Sequence, residues 1–195
     1  MSITVGDISV MNVFKAIDGM RNPLNSWAKS DTDMFIGEKD LKLARQLVKV
    51  GTDHRKFLRQ ILVSMDITAP RFWWIEFDTY KVGTTSNSCS TMHTILNKEF
   101  ALSDFSFDTV KHYIADGLVD MLNDLRDDYL SSKDKDIWRA IIEALPQSYN
   151  QKRTVTMNFE VLLNMYEARK NHKLDEWQEF CNVIENLPHF SKICL

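Results

Sequence analysis

The chain predicts a helix-dominated α+β fold, mixed α/β in content, with a small central sheet flanked by long helices. Three observations carry this. Glycine and proline are scarce, six and four in 195 residues, so little interrupts the helices. Several long stretches repeat apolar residues three and four apart, the mark of a helix with one buried face. Alternating or β-rich stretches are short and separated by helices.

The composition suits that class. Hydrophobic residues at 44% and charged residues at 26% suffice for a sizeable core, and residues 1–195 are read as a single domain. The net charge of −3 and the lack of a basic stripe argue against a nucleic-acid partner gripped by its backbone, but leave room for a mononucleotide. No apolar run approaches the ~20 residues a bilayer demands, so no membrane partner is expected. The opening MSITVGDISV lacks a basic segment followed by an apolar one, and a cytoplasmic location is expected. Cys89, Cys181 and Cys194 have no CxxC spacing and are read as free thiols. Five histidines (His54, His93, His112, His172 and His189) show no HExxH pattern, and no metal is expected.

Taken in order, Ile8 to Val13 alternates at period two and predicts a strand. Residues 22–37 are rich in turn formers and read as loop. A helix over 38–50 places Leu41, Ala44, Leu47 and Val48 on one face. Asp53 is the expected N-cap of a short helix containing His54, Phe57 and Leu58. Residues 61–67 read as a strand. Pro70 then opens a helix whose Phe72, Trp73, Trp74, Ile75 and Phe77 are expected in the core. A polar segment of 80–93 follows. A helix over 107–130 is predicted to bury Phe107, Val110, Ile114, Leu118, Met121, Leu122, Leu125 and Tyr129. A second helix covers 134–144. Residues 153–157 read as a strand, and helices over 158–171 and 174–187 complete the assignment; the tail after Pro188 receives none.

Two stretches could carry chemistry. Gly83 to Thr91 holds six hydroxyl side chains and Asn87, which are donors suited to a phosphate or a nucleobase, with Lys81 beside them as a point charge. An ordinary polar loop capping a helix has the same composition. In 158–169, Asn158, Leu162, Met165 and Arg169 fall near one helical face, with Asn164 about 120° from Asn158. Arg169 reads either as a favourable charge at a helix C-terminus or as a guanidinium fork for a carbonyl or phosphate.

On these residues the chain resembles the ThyX family of flavin-dependent thymidylate synthases. That family carries an H-x-x-F segment, a strand, Ala-Pro opening a helix, and then RHRxxSxNExSxR. Here His54-Arg55-Lys56-Phe57, the strand 61–67 and Ala69-Pro70 follow in that order, and the second half of the signature survives as Thr85, Asn87 and Ser90, with one inserted residue. Further on, Leu145-Pro146, twelve residues to Asn158, then Leu162, Asn164, Arg169 and Trp177 follow the family's pattern, with no gap needed from Pro146 through Asn158 to Arg169.

The resemblance implies a homotetramer with active sites between subunits, binding a dUMP-like pyrimidine nucleotide, FAD and methylenetetrahydrofolate, with NADPH as reductant. It assigns Ser90 and Arg169 to catalysis. Asn87, Ser88, Ser90, Arg139, Asn164 and Arg169 go to the substrate, and His54, Lys81, Thr85, Asn87 and Asn158 to the cofactor. Arg169 would polarise the pyrimidine as charge builds on its carbonyl.

The departures are equally specific. The FAD-binding triplet is Tyr80-Lys81-Val82, the glutamate after the signature asparagine is Ser88, and the terminal signature arginine is Met92. The phosphate-binding arginine is Ile142, with Arg139 one turn earlier, and the arginine of N-x-R is Glu160. Two readings result: a ThyX-type enzyme that transfers a one-carbon unit, or a non-catalytic nucleotide-binding or protein-interaction module that has lost FAD.

Overall fold

The computed structural model describes residues 3–195. Four strands form one antiparallel sheet in the order β1-β2-β4-β3: β1 (Thr4–Met11), β2 (Leu62–Pro70), β3 (Thr85–Ser88) and β4 (Asn150–Asn158). The helices are α1 (Val13–Gly19), α2 (Glu38–Val50), α3 (Arg71–Phe77), α4 (Thr91–Thr94), α5 (His112–Ser132), α6 (Lys135–Ala144), α7 (Phe159–Arg169), α8 (Asp175–Glu185) and α9 (Phe190–Cys194). The predicted α+β class is the one observed. The chain divides into two compact units. The first takes Thr68–Asp78 and Asn87–Arg153 with the residues up to Thr4; the second takes Val5–Ile67, Thr79–Ser86 and Thr154–Leu195.

In the first unit, α3 grows directly from β2. Arg71 and Phe72 donate their backbone N–H groups to the Tyr149 and Gln147 carbonyls, both at 3.0 Å, so the entry to the helix is tied to the chain before β4. Pro70 is the last strand residue rather than the first helical one; its lack of an N–H makes it a natural end to the ladder. Trp73, Trp74 and Phe77 are buried as expected, whereas Ile75 is exposed.

The α5 stripe differs from the sequence reading. The helix begins at His112, and Val110, Ile114 and Met121 are exposed, while Ala115, Val119 and Leu122 are buried. Spacings of three and four fit two adjacent faces of this helix. The choice falls to Asn123, whose amide accepts from the Phe100 N–H (2.8 Å) and donates to the Phe100 carbonyl (3.0 Å). This pins the preceding segment, and with it Ile95, Phe100 and Phe105, over Val119 and Leu122. Helix α6 is capped by Asp134, which accepts from the Asp136 N–H at 2.8 Å.

In the second unit, β2 and β4 meet in a fixed antiparallel register. Thr154 donates to Asp66 at 2.6 Å, Thr156 to Ser64 at 3.2 Å, and the Phe159 N–H to the Ile61 carbonyl at 3.0 Å. Helix α2 spans the predicted residues and buries Leu41, Ala44 and Val48. Its Asp40 is also buried. The carboxylate accepts from Arg21 (2.5 Å), Ser30 (2.6 Å) and the backbone N–H groups of Asp31 and Thr32, which shapes the turn-rich 30–37 segment.

Four boundaries need correction. The first strand ends at Met11, because Asn12 turns left-handed (φ 66°) and Val13 starts α1. Asp53 caps nothing; His54, Phe57 and Leu58 lie around a 3-10 turn, Lys56–Gln60, preceded by Arg55. The polar segment 80–93 contains β3 and α4, whose four exposed strand residues carry no hydrophobic alternation to reveal them. The tail forms α9, with Phe190 and Ile193 fully buried.

Candidate functional site

Within the first unit a cavity of about 390 Å³ opens beside α3. Its floor is built from Trp74, which is buried and donates its indole N–H to the Gln151 carbonyl at 2.9 Å. Arg153 lies over that ring, its guanidinium carbon 4.1 Å from the centroid. The same guanidinium donates to Asp78 (2.7 Å) and to the Gln151 side chain (3.1 Å). Stacking and a carboxylate therefore fix Arg153 twice. Gln151 in turn donates to the Cys89 carbonyl (2.9 Å), and the Cys89 N–H donates to the Lys152 carbonyl (3.0 Å), fastening the 88–91 segment to β4.

That segment sets the hydroxyls of Ser88, Ser90 and Thr91 on the cavity wall. Opposite in character are Ile75, Met92 and Ile142, which supply apolar surface. Arg71, at the start of α3, also lines the cavity. The charged groups of this wall are Arg71, Arg153 and Asp78, which leaves one net positive charge. A half-apolar cavity of this size with convergent hydroxyls and a guanidinium is chemically a site for a small anionic ligand with a planar or apolar body.

The sequence-predicted residues distribute as follows. Ser88 and Ser90 meet in this cavity. Asn87, in β3, is exposed and does not line it. Arg139 is exposed on α6, donating to Glu143 at 2.7 Å, whereas Ile142 faces the cavity. The remaining residues belong to the second unit. Thr85 and Lys81 are exposed. Asn158 is buried at the junction of β4 and α7, where its Oδ1 accepts from the Val161 N–H at 3.0 Å. A Cβ at Gly83 would lie 2.7 Å from Asn158 Nδ2, so the glycine (φ 79°) lets the Lys81–Thr84 turn approach that side chain.

Asn164 accepts from Arg55 at 2.9 Å. Arg55 also reaches Glu160 at 3.1 Å, and Arg59 hydrogen-bonds the other carboxylate oxygen. Burial pushes the Glu160 carboxyl up, but the bonds and charges of Arg59 and Arg55 more than offset this and hold it below the ordinary glutamate range. Arg169 ends α7 over aromatic surface: 4.9 Å above Trp177, 5.7 Å from the Tyr80 centroid, with its Nε donating to the Tyr80 hydroxyl at 3.0 Å. His54 sits with Leu24, Leu47 and Phe57 on a separate cavity of about 560 Å³.

Sequence reasoning missed Arg71, Trp74 and Arg153 as site residues. The sequence places Trp74 in the core, and it is buried there. Arg153 was read as part of a strand, and nothing local distinguishes a strand arginine that stacks on a distant ring.

No protein-family model matches the sequence, and no curated protein matches it. Solved structures do. Flavin-dependent thymidylate synthase ThyX from Helicobacter pylori, complexed with FAD and dUMP, aligns with a TM-score of 0.78 and 19% identity over 100% of both chains. A second structure of Helicobacter pylori ThyX with FAD and dUMP gives 0.79 and 18%, covering 99% of this chain and 97% of that one. The chain has the ThyX fold. The stretch that resembles the ThyX signature forms β3 and α4, and Arg169 closes α7. Identity of 18–19% across the whole length supports the shared topology and nothing finer.

Proposed function

We propose that this chain binds a pyrimidine nucleotide of the dUMP kind in the cavity of the first unit, and that it works as a single functional domain. The observation that carries the proposal is the cavity wall itself: Ser88, Ser90 and Thr91 hydroxyls gathered with an arginine and apolar surface, on a fold shared with a dUMP-binding protein. Serine and threonine hydroxyls suit the carbonyl and imide groups of a pyrimidine, and Ile75, Met92 and Ile142 suit its faces. Arg169 and Asn164 are proposed on the pyrimidine side of the reaction, following the ThyX resemblance, and assembly as a homotetramer follows from the same source.

The flavin is a different matter. At the three positions of the flavin-binding triplet, the Tyr80 hydroxyl is engaged by Arg169, Lys81 is exposed and Val82 is 90% exposed. One exposed lysine does not fit the grip a dinucleotide's pyrophosphate requires. A one-carbon transfer with methylenetetrahydrofolate, FAD and NADPH is the second reading, favoured by the retention of Ser90 and Arg169.

Titration of dUMP into the colourless or yellow purified protein separates these. At a hundred times its dissociation constant, dUMP should add about 2.7 kcal/mol, or roughly 5–10 °C in midpoint. No shift with dUMP, dUDP or deoxyuridine would remove the nucleotide reading. Flavin absorbance that co-purifies would carry the second reading; its absence together with dUMP binding would leave the binding module. If Arg169 reaches the nucleotide from a neighbouring copy of the homotetramer, as the ThyX resemblance implies, Arg169→Ala should abolish nucleotide binding with the fold intact; retained binding would confine the site to the first-unit cavity, whose wall does not include Arg169.

A further inference from the structure

The two cavity arginines are not equivalent. Arg153 is committed: a ring beneath it, Asp78 at 2.7 Å and Gln151 at 3.1 Å use its donors and neutralise its charge. Arg71 is the contrast. Its backbone is fixed by the N–H bond to the Tyr149 carbonyl, yet its half-buried guanidinium has no hydrogen bond or ion pair among the described residues. It lines the cavity with the Ser88 and Ser90 hydroxyls, and neither of these makes a side-chain hydrogen bond among the described residues. Arg139, the cation expected from sequence, is held by Glu143 at 2.7 Å and lies outside the lining.

We propose that Arg71 is the phosphate-binding residue of this cavity, so that its ligand is a phosphomonoester: a nucleoside monophosphate rather than a nucleoside. The inference rests on the nucleotide reading above and adds the group that recognises the phosphate. A guanidinium presents paired N–H donors in the plane that two phosphate oxygens occupy, and serine hydroxyls can fill the third oxygen's sites. A single uncompensated cation matches one phosphate. Further phosphates would meet no additional positive charge in the wall, so diphosphates should bind no more tightly than the monophosphate.

The test is calorimetric titration of dUMP, dUDP and deoxyuridine into the full chain and into Arg71→Ala and Arg71→Lys. Removing one charge-assisted contact should weaken dUMP about 10- to 100-fold, leave deoxyuridine unchanged, and flatten the salt dependence of dUMP binding. Arg71→Lys should recover part of the loss, since it restores charge without the fork. Circular dichroism and an unchanged thermal midpoint establish that Arg71→Ala is folded. Equal weakening of dUMP and deoxyuridine, or no weakening of either, would overturn the role of Arg71 while leaving the nucleotide reading in place. If neither dUMP nor deoxyuridine binds the unaltered chain, the nucleotide reading falls. Inorganic phosphate then decides the rest: binding lost in Arg71→Ala upholds the anion site, and no binding overturns it.

Discussion

Glu160 stands where a ThyX-like pattern would place an arginine, and its environment makes that reversal testable. The carboxylate side chain is 10% exposed and bridges Arg55, 12% exposed, and Arg59, 44% exposed. Glu160→Ala would strand the Arg55 guanidinium inside the second unit with Asn164 as its remaining side-chain hydrogen-bond partner among the described residues. Removing one member of a buried pair costs about 3–5 kcal/mol. Arg59 can turn to water, which reduces the cost, and about 2–3 kcal/mol is the appropriate expectation. For a chain of this length that is a fall of about 4–12 °C in the thermal midpoint. The assay is thermal unfolding followed by circular dichroism for wild type, Glu160→Ala and Glu160→Gln, the last keeping shape and one acceptor while removing charge.

The pH dependence follows from the depressed Glu160 pKa. The unfolded carboxyl holds its proton to a higher pH than the folded one, so the ion pairs contribute fully above about pH 4.3 and lose their contribution as pH falls through the lower folded value. Wild type and Glu160→Gln should therefore differ most near neutrality and converge in strong acid. A midpoint change under about 1 °C in Glu160→Ala would refute the reasoning, since it would mean that Arg55 finds water in the folded state.

Three further outcomes are expected. Gly83→Ala should destabilise by about 1–2 kcal/mol in urea unfolding, from its left-handed backbone and the 2.7 Å approach to Asn158; in Asn158→Ala, where that neighbour is shortened, the added cost of Gly83→Ala should be smaller. Phe190→Ala should cost about 3–5 kcal/mol, because this ring is fully buried edge-on to Phe159 at 5.2 Å and anchors α9; a loss below 1 kcal/mol would mean the C-terminal helix is loosely attached. Thiol titration of the native protein near pH 8 should find one fast-reacting group, exposed Cys89, while burial pushes Cys181 to about 11 and Cys194 to about 12, and unfolding should release both.

What was legible in the sequence was whatever a single element decides for itself. Helix α2 could be read because its apolar face, with Leu41, Ala44 and Val48 buried, repeats at helical spacing within the element itself. Helix α6 was equally clear from Asp134 onward. The α5 face was not, because its periodicity admits two stripes and the decision comes from Asn123, gripping a backbone 23 residues away. Strand β3 carries only Thr, Ser and Asn, so pairing with β4, not pattern, makes it a strand.

The same division runs through the site. Ser88 and Ser90 were visible as a hydroxyl-rich run, because side-chain type alone announces them. Arg71 was invisible, since one arginine after Ala69-Pro70 reads as an ordinary helix start. What separates it from the chain's other arginines is a difference in partnership: Arg153, Arg169, Arg55 and Arg139 are all engaged by carboxylates, rings or amides, and Arg71 is not. A half-buried cation in a cavity loses hydration without a compensating bond, a cost that a ligand carrying a phosphate would offset. The positions that resemble the ThyX motif carry little charge here, and the cavity has one net positive charge from residues outside those positions. Titration of the unaltered chain therefore decides whether this cavity recognises a nucleotide, and the Arg71 variants decide whether this guanidinium is what recognises the phosphate.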